Sequence, residues 1–220
     1  MDLPILFEDG EALVIDKPAG LPLDRPRAGG PCLEDYLEQL KLGFQRPPAP
    51  VHRLDQDTSG CLLLARNPKA LKRFSAAFEE RQVDKTYIGL VAGELAEEAG
   101  TIELALSKIS SEKDGWRMIA AKKGKPAMTH WERLAVHDGV TMVRFKPVTG
   151  RTHQIRIHAL AGLGFPLVGD PVYGKKDRRV TRTMLHASAL ILHRGDKPPV
   201  AATSSLPADF AILGFEEPDA

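Results

Sequence analysis

Two short segments of this 220-residue chain concentrate the side chains that can do chemistry. The first is Val51-His52-Arg53-Leu54-Asp55-Gln56-Asp57-Thr58-Ser59-Gly60. It sets an imidazole, a guanidinium, two carboxylates and two hydroxyls in a loop between apolar stretches. Polar side chains on a loop held by a rigid scaffold are where sites usually sit. Three readings stand side by side. One carboxylate beside a positioned cation can serve as nucleophile or general base. His52, Asp55 and Asp57 together are a ligand set for a metal. Or the segment is a capped turn, with Asp57 or Thr58 accepting backbone N–H groups.

The second segment is Thr149-Gly150-Arg151-Thr152-His153-Gln154-Ile155-Arg156-Ile157-His158. Arg151 and Arg156 are five residues apart, as are His153 and His158. On a helix that spacing offsets two side chains by about 140°, so the histidines are not the i, i+4 pair of a helical zinc site. The segment reads either as a polar helix start or as a helix-end cation site for an anion. Gly169-Asp170-Pro171-Val172-Tyr173-Gly174 has turn glycines and an aromatic, and reads as a structural turn or, alternatively, as a loop that lines a site.

These segments need elements to hold them. Residues 5–7 and 12–16 read as short strands, and Leu33, Tyr36, Leu37 and Leu40 recur with the period of an amphipathic helix. Gln45–Pro50 is a loop, Val51–Leu54 is extended, and Gly60–Ala65 is a buried strand. Asn67-Pro68 starts a helix, with Asn as cap and Pro in the first turn, running to about Arg81. Strands are expected at 85–92, 101–106, 116–121, 129–136 and 141–147, with Asp138-Gly139 turning the last hairpin. His153–Ala161 is a helix, Leu185–His193 is strand or helix, and Val200–Ser204 is extended. Consecutive strands with few helices predict an α+β fold with a mixed, mostly antiparallel sheet flanked by helices and loops. With no repeat and no linker, residues 1–220 read as one domain.

Apolar residues make up 43% and charged residues 27% of the chain, which excludes wholesale disorder. The start, MDLPILFEDG, lacks the basic region of a secretory signal, and no apolar run is long enough to span a bilayer. Cys32 and Cys61 alone make neither a disulfide framework nor a cysteine zinc site, so the expectation is a reduced, cytoplasmic protein. The net charge of +1 hides an asymmetry: residues 101–200 hold 18 basic and 8 acidic side chains. A basic block of that size suggests a face for a polyanion, the alternative being that charges far apart in sequence mix again on the folded surface.

The segments also carry a resemblance. His52-Arg53-Leu54-Asp55, followed by Thr58-Ser59-Gly60, is similar to the signature of the RluA-type RNA pseudouridine synthases. Lys17-Pro18-Ala19-Gly20 resembles the family's lead-in, Lys85-Thr86-Tyr87 its second block and Gly150–Arg156 its third. Gly169–Gly174 and Leu185-His186-Ala187 complete the ordered set, which covers roughly residues 5–210. Departures are small: Asp16 stands where Asn is usual and Cys61 where an aliphatic is. The chain resembles the compact members that lack an N-terminal S4-type RNA-binding domain.

The resemblance implies a pseudouridine synthase fold with RNA in a basic cleft, and an isomerase acting on uridines of structured ribosomal or transfer RNA. The reaction breaks the N-glycosidic bond, rotates the base and rejoins it through carbon. It needs no redox change, water or energy input, so no cofactor and no metal are implied. The family's required carboxylate falls on Asp55, which attacks either the ribose C1′ or the base. Arg156 matches the arginine that pairs with this carboxylate, and Tyr87 the tyrosine beside the target nucleotide. Arg53 is implicated in replacing the flipped base, Ile155 in packing beneath the target, and Arg151 and His153 in substrate binding. His52, Thr58 and Ser59 are expected to shape the loop. The expected partner is RNA, with no membrane and no obligate protein, the chain acting as a monomer. Two rivals remain: a non-catalytic RNA-binding or RNA-folding module, and a metal-dependent hydrolase in which His52, Asp55, His153, His158 or His186 converge.

Overall fold

The strands of the chain are β1 (Ile5–Glu8), β2 (Ala12–Lys17), β3 (Ala49–Pro50), β4 (Ser59–Ala65), β5 (Val83–Val91), β6 (Ala99–Ser111), β7 (Gly115–Ala120), β8 (Lys125–His137), β9 (Val140–Pro147), β10 (Leu185–Arg194) and β11 (Lys197–Thr203). Two helices, α1 (Pro68–Glu79) and α2 (Gln154–Leu163), accompany them. The computed structural model describes residues 1–111 and 115–218. The chain divides into two units: Met1–Lys85 with His186–Ser205, and Thr86–Leu185 with Leu206 to the end.

In the first unit β4 is the pivot. All seven of its residues are buried, which is why it reads as a continuous apolar run rather than an alternating one. It pairs antiparallel with β2, from Ala12 opposite Ala65 to Lys17 opposite Gly60. It pairs parallel with β10 through His186 opposite Ser59 and Ala187 opposite Gly60. Gly60 has φ 105°, and a Cβ there would stand 2.2 Å from the Ala187 carbonyl oxygen, so only glycine allows this approach. The Asn67 side chain caps α1 by accepting the Ala70 N–H at 2.9 Å. Ala70, Phe74 and Ala77 of α1 then bury against Val14, Leu63 and Leu190.

The second unit holds an antiparallel sheet ordered β5-β9-β8-β6-β7, in which β8 returns to pair with β6 and β9 with β5. Asp138 and Gly139 turn the β8–β9 hairpin at φ 48° and 73°, as a two-residue loop of that twist demands. Strand alternation gives this sheet two apolar faces. Ile155 and Ala159 of α2 pack on one, with Val91, Trp131, Val143 and Phe145. A short turn of helix, Ala208–Leu213, covers the other, where Phe210 and Leu213 meet Ile88, Leu90 and Met142.

The α+β expectation and the helices after Asn67 and His153 agree with the structure. Leu185–His193 resolves as strand β10. The helix expected over Leu33–Leu40 is instead two short tight turns, Leu33–Tyr36 and Gln39–Lys41. Its periodic stretch is only two turns long, its cap position is Cys32, and Leu42 then takes a left-handed conformation at φ 49°. So short a pattern cannot offset helix nucleation. The extended stretch expected at Val51–Leu54 falls one step earlier, at Ala49–Pro50, and the chain bends at Val51 and His52. The basic block is also diluted: the second unit as a whole carries 16 basic and 14 acidic residues. Among the described residues no helix is long and apolar enough to cross a membrane.

Candidate active site

Asp55 lies on the loop that feeds β4, half-buried, in a turn closed by the Thr58 N–H on the Asp55 carbonyl at 3.1 Å. The next residue anchors that turn. The Gln56 carbonyl accepts the Gly20 N–H at 2.9 Å and the Lys17 ammonium at 3.0 Å. Lys17 is fully buried, and its ammonium also donates to the carbonyls of Pro18 at 2.8 Å and Leu21 at 2.9 Å. A buried ammonium needs such acceptors, so the Lys17-Pro18-Ala19-Gly20 turn and the Asp55 loop are locked together.

The histidines around this loop are structural. His52 accepts the Leu63 N–H on Nε2 at 3.0 Å and stacks on Phe78 at 4.6 Å. Burial, then the nearby Lys85 charge, pushes its pKa down to about 3 against a weaker backbone bond. His186 meets Ser59 Oγ with Nδ1 at 2.9 Å and the Ser204 carbonyl with Nε2 at 3.0 Å. Since a carbonyl only accepts, Nε2 carries the proton. His52 therefore leaves the His52–Asp55–Asp57 ligand set, and the loop-shaping role expected of His52 and Ser59 is the one observed.

The start of α2 is built around Gln154, which is buried and fully bonded. Its Oε1 accepts the Thr149 hydroxyl at 2.6 Å and the Arg151 N–H at 3.0 Å. Its Nε2 donates to the Met128 carbonyl and to Thr129 Oγ1, both at 2.9 Å. This fixes the helix end to β8. His153, the cap, adopts a left-handed conformation at φ 52°, a strained position for a residue other than glycine.

Arg156, 7% exposed, forks onto Asp170: Nε to Oδ2 and Nη2 to Oδ1, each at 2.7 Å. Asp170 Oδ1 also accepts the N–H groups of Val172 at 2.9 Å and Tyr173 at 3.0 Å. Burial pushes this carboxyl up, but the Arg156 bonds and the two backbone donors outweigh it and hold it below the ordinary carboxylate range. The Gly169–Gly174 turn thus does more than turn the chain: it orients Arg156 and leaves Nη1 outside the fork.

The other expected site residues are placed as follows. Arg53 is exposed, two residues before Asp55. Tyr87 is half-buried on β5 opposite Phe145. Arg151 donates from Nε to the Pro126 carbonyl at 3.2 Å. Ile155 is 7% exposed, within the core under α2. Arg53 and Asp55 share one loop of the first unit; Arg151, His153, Ile155 and Arg156 share the start of α2 in the second. Lys17, Gln154, Asp170 and His186 escaped the sequence reading as supports. Lys17 had a usable signal, a charge ending an apolar strand before a Pro-Gly turn. Asp170 had none, since nothing local ties it to an arginine fourteen residues upstream.

Comparison with known proteins gives these elements a common origin. The family model for RNA pseudouridylate synthase matches residues 11–161. An uncharacterized RNA pseudouridine synthase of Zymomonas mobilis is 54% identical over 212 residues, covering 96% of this chain and 97% of that protein. The ribosomal large subunit pseudouridine synthase D of Nitrosomonas europaea is 37% identical over 96% of this chain, which spans 64% of that longer protein. Among solved structures, human RNA pseudouridylate synthase domain containing 1 superposes with a TM-score of 0.77 at 30% identity, over 99% of this chain and 97% of that one. Human RNA pseudouridylate synthase domain containing 4 gives 0.80 at 26% identity, over 98% and 94%. The chain belongs to the RNA pseudouridylate synthase family. It is an isomerase that converts uridine in RNA to pseudouridine.

Proposed function

We propose that this enzyme modifies uridines in structured ribosomal RNA, transfer RNA or both, with Asp55 as its nucleophilic carboxylate. The observation that carries this reading is the clamp on the Asp55 loop. Lys17 and Gly20 both hold the Gln56 carbonyl, so the neighbouring carboxylate is presented from a fixed backbone. Preorganisation of that kind is what a nucleophile at a sugar or base carbon needs. In the reaction the N1–C1′ bond breaks, the base turns while bound, and a C5–C1′ bond forms. The proton lost from C5 is balanced by one gained at N1. Asp55 attacks C1′ or the base and departs before the product leaves, much as a retaining glycosidase uses its carboxylate. Tyr87 and Arg156 complete the proposed catalytic set, in the roles that the family resemblance implies for them. Arg53, Arg151, His153 and Ile155 hold the RNA around the target.

Relatives named for the ribosomal large subunit support ribosomal RNA as the first target to examine. The enzyme works as a single chain in the cytoplasm, where both RNAs reside. The test is pseudouridine mapping of ribosomal and transfer RNA from cells with the gene, without it, and with Asp55→Asn in its place. At least one pseudouridine is lost without the gene, restored by the wild type and not by Asp55→Asn, while the variant stays folded and keeps its RNA affinity. Restoration by Asp55→Asn, or residual turnover within about tenfold of wild type, removes Asp55 from the chemistry. A growth or assembly defect that Asp55→Asn does repair identifies the RNA-folding role instead.

A further inference from the structure

Trp116, on β7, is 47% exposed, whereas the chain's other tryptophan, Trp131, is 8% exposed. A large aromatic left half in water is not explained by core packing. Nor is it loose. The His153 ring lies against it, centroids 5.0 Å apart and planes tilted by 31°. His153 meets Tyr173 edge-on at 5.6 Å, with Nδ1 and the phenol oxygen 2.8 Å apart. The Tyr173 hydroxyl accepts the Met118 N–H at 2.9 Å, two residues along β7 from Trp116. The Arg156 guanidinium sits 5.0 Å from the Tyr173 ring centroid. Trp116 is thus the exposed end of a ladder, Trp116–His153–Tyr173–Arg156, that runs inward to the Asp170 fork. The strained backbone of His153 is held inside this ladder.

The surroundings are cationic. Register places Lys108 opposite Met118, on the same sheet face as Trp116, and its ammonium lies 4.8 Å from the indole centroid. Lys122, Lys123 and Lys125 are exposed just beyond β7. An exposed aromatic face beside exposed cations is the chemistry that accepts an unpaired nucleobase and its phosphate.

We propose that Trp116 is an RNA-stacking platform: an unpaired base flanking the target uridine stacks on its indole, and Lys108 meets the adjoining phosphate. This rests on the proposed function, since it names how that site grips its substrate. The ladder makes Trp116 a positioning residue, tying the flanking base to the helix start that carries Arg156.

The experiment uses the full chain and a single-stranded hepta-adenosine oligoribonucleotide, followed by tryptophan emission and by competition binding. The probe should quench wild-type emission, and the quench should vanish in Trp116→Phe, where only buried Trp131 reports. Trp116→Phe keeps a stacking face and should bind within about threefold of wild type, whereas Trp116→Ala should bind roughly tenfold more weakly. On RNA from cells lacking the gene, the loss in Trp116→Ala should fall on KM rather than kcat. A quench that persists in Trp116→Phe, or unchanged affinity in a folded Trp116→Ala, overturns the platform. A wild-type protein that converts no uridine in that RNA overturns the proposed target, while the oligonucleotide quench still decides the platform by itself.

Discussion

Replacing Asp170 by alanine tests how Arg156 is held. The Asp170 carboxylate is fully buried and receives four hydrogen bonds, two from Arg156 at 2.7 Å and two from the Val172 and Tyr173 N–H groups at 2.9 and 3.0 Å. Asp170→Ala leaves a 7%-exposed guanidinium without that counter-charge, a change that costs about 3–5 kcal/mol when one partner of a buried pair is removed. For a chain of this size each kcal/mol lowers Tm by roughly 2–4 °C, so a fall of about 6–20 °C is expected. Asp170→Asn keeps an oxygen for the two backbone donors and should lose less. Both variants should lose turnover, because Arg156 is no longer oriented. Arg156→Met in the Asp170→Ala background should recover stability but not turnover, since the double change removes the buried charge together with its counter-charge. Calorimetry and single-turnover pseudouridine formation on wild type, Asp170→Ala, Arg156→Met and the double variant close the cycle and give the coupling. A Tm drop under 2 °C for Asp170→Ala, or strict additivity in the cycle, refutes the account. The pH sign follows from the depressed carboxyl: its stabilisation is present above the ordinary carboxylate pKa and is lost only as pH falls through its lower folded value.

Arg53→Ala should reduce turnover of a stem-loop more than that of the same target in an unstructured oligonucleotide, because extruding a paired base costs roughly a few kcal/mol that the exposed guanidinium can offset; equal losses would assign Arg53 to bracing the loop. RNA affinity should fall with salt at a log–log slope of about 0.7–0.9 per phosphate contact, with Lys122, Lys123, Lys125, Arg151, Lys175, Lys176 and Arg178 as contacts. Arg179 should contribute less, because Asp177 at 2.8 Å and Asp138 at 3.5 Å already pair with it; a slope near zero defeats the basic-face argument. Stability should decline as pH drops below about 6.5, because the unfolded chain takes up protons that buried His52, near 3, and His158, near 4, refuse. The His52 share reaches up to about 2 kcal/mol at pH 5, and urea unfolding that is flat between pH 5 and 7.5 would contradict it.

What could be read from the sequence was what the chain writes locally. The continuous apolar run of β4 is buried throughout, and Asn67-Pro68 opens α1 with the expected side-chain cap. The ordered motif blocks placed the family. Leu33–Leu40 misled because a period of 3.6 over two turns satisfies a pattern without the length that offsets helix nucleation. The size of the basic block reads differently once the chain is folded. Charges were summed along the chain, whereas acids from residues 86–100 and 206–220 join the same unit.

The partners of buried polar groups follow neither rule. Lys17 is bound by three carbonyls, one of them thirty-nine residues away, and Arg156 by a carboxylate in a turn that looked merely structural. This bears on how a motif such as Gly150–Arg156 is read. Its polar residues are written in one stretch, but burial divides their work. Gln154 is consumed by the scaffold, with Thr149, Arg151, Met128 and Thr129 as partners. Arg156 gives two of its nitrogens to Asp170 and keeps Nη1 outside that fork. His153 passes through Tyr173 on one side and Trp116 on the other. The residues of one motif therefore divide between holding the scaffold and meeting the substrate, and their spacing in sequence does not say which does which. For that reason a substitution at Asp170, inside the motif blocks, should lower turnover through Arg156, whereas one at Trp116, outside them, should weaken RNA binding.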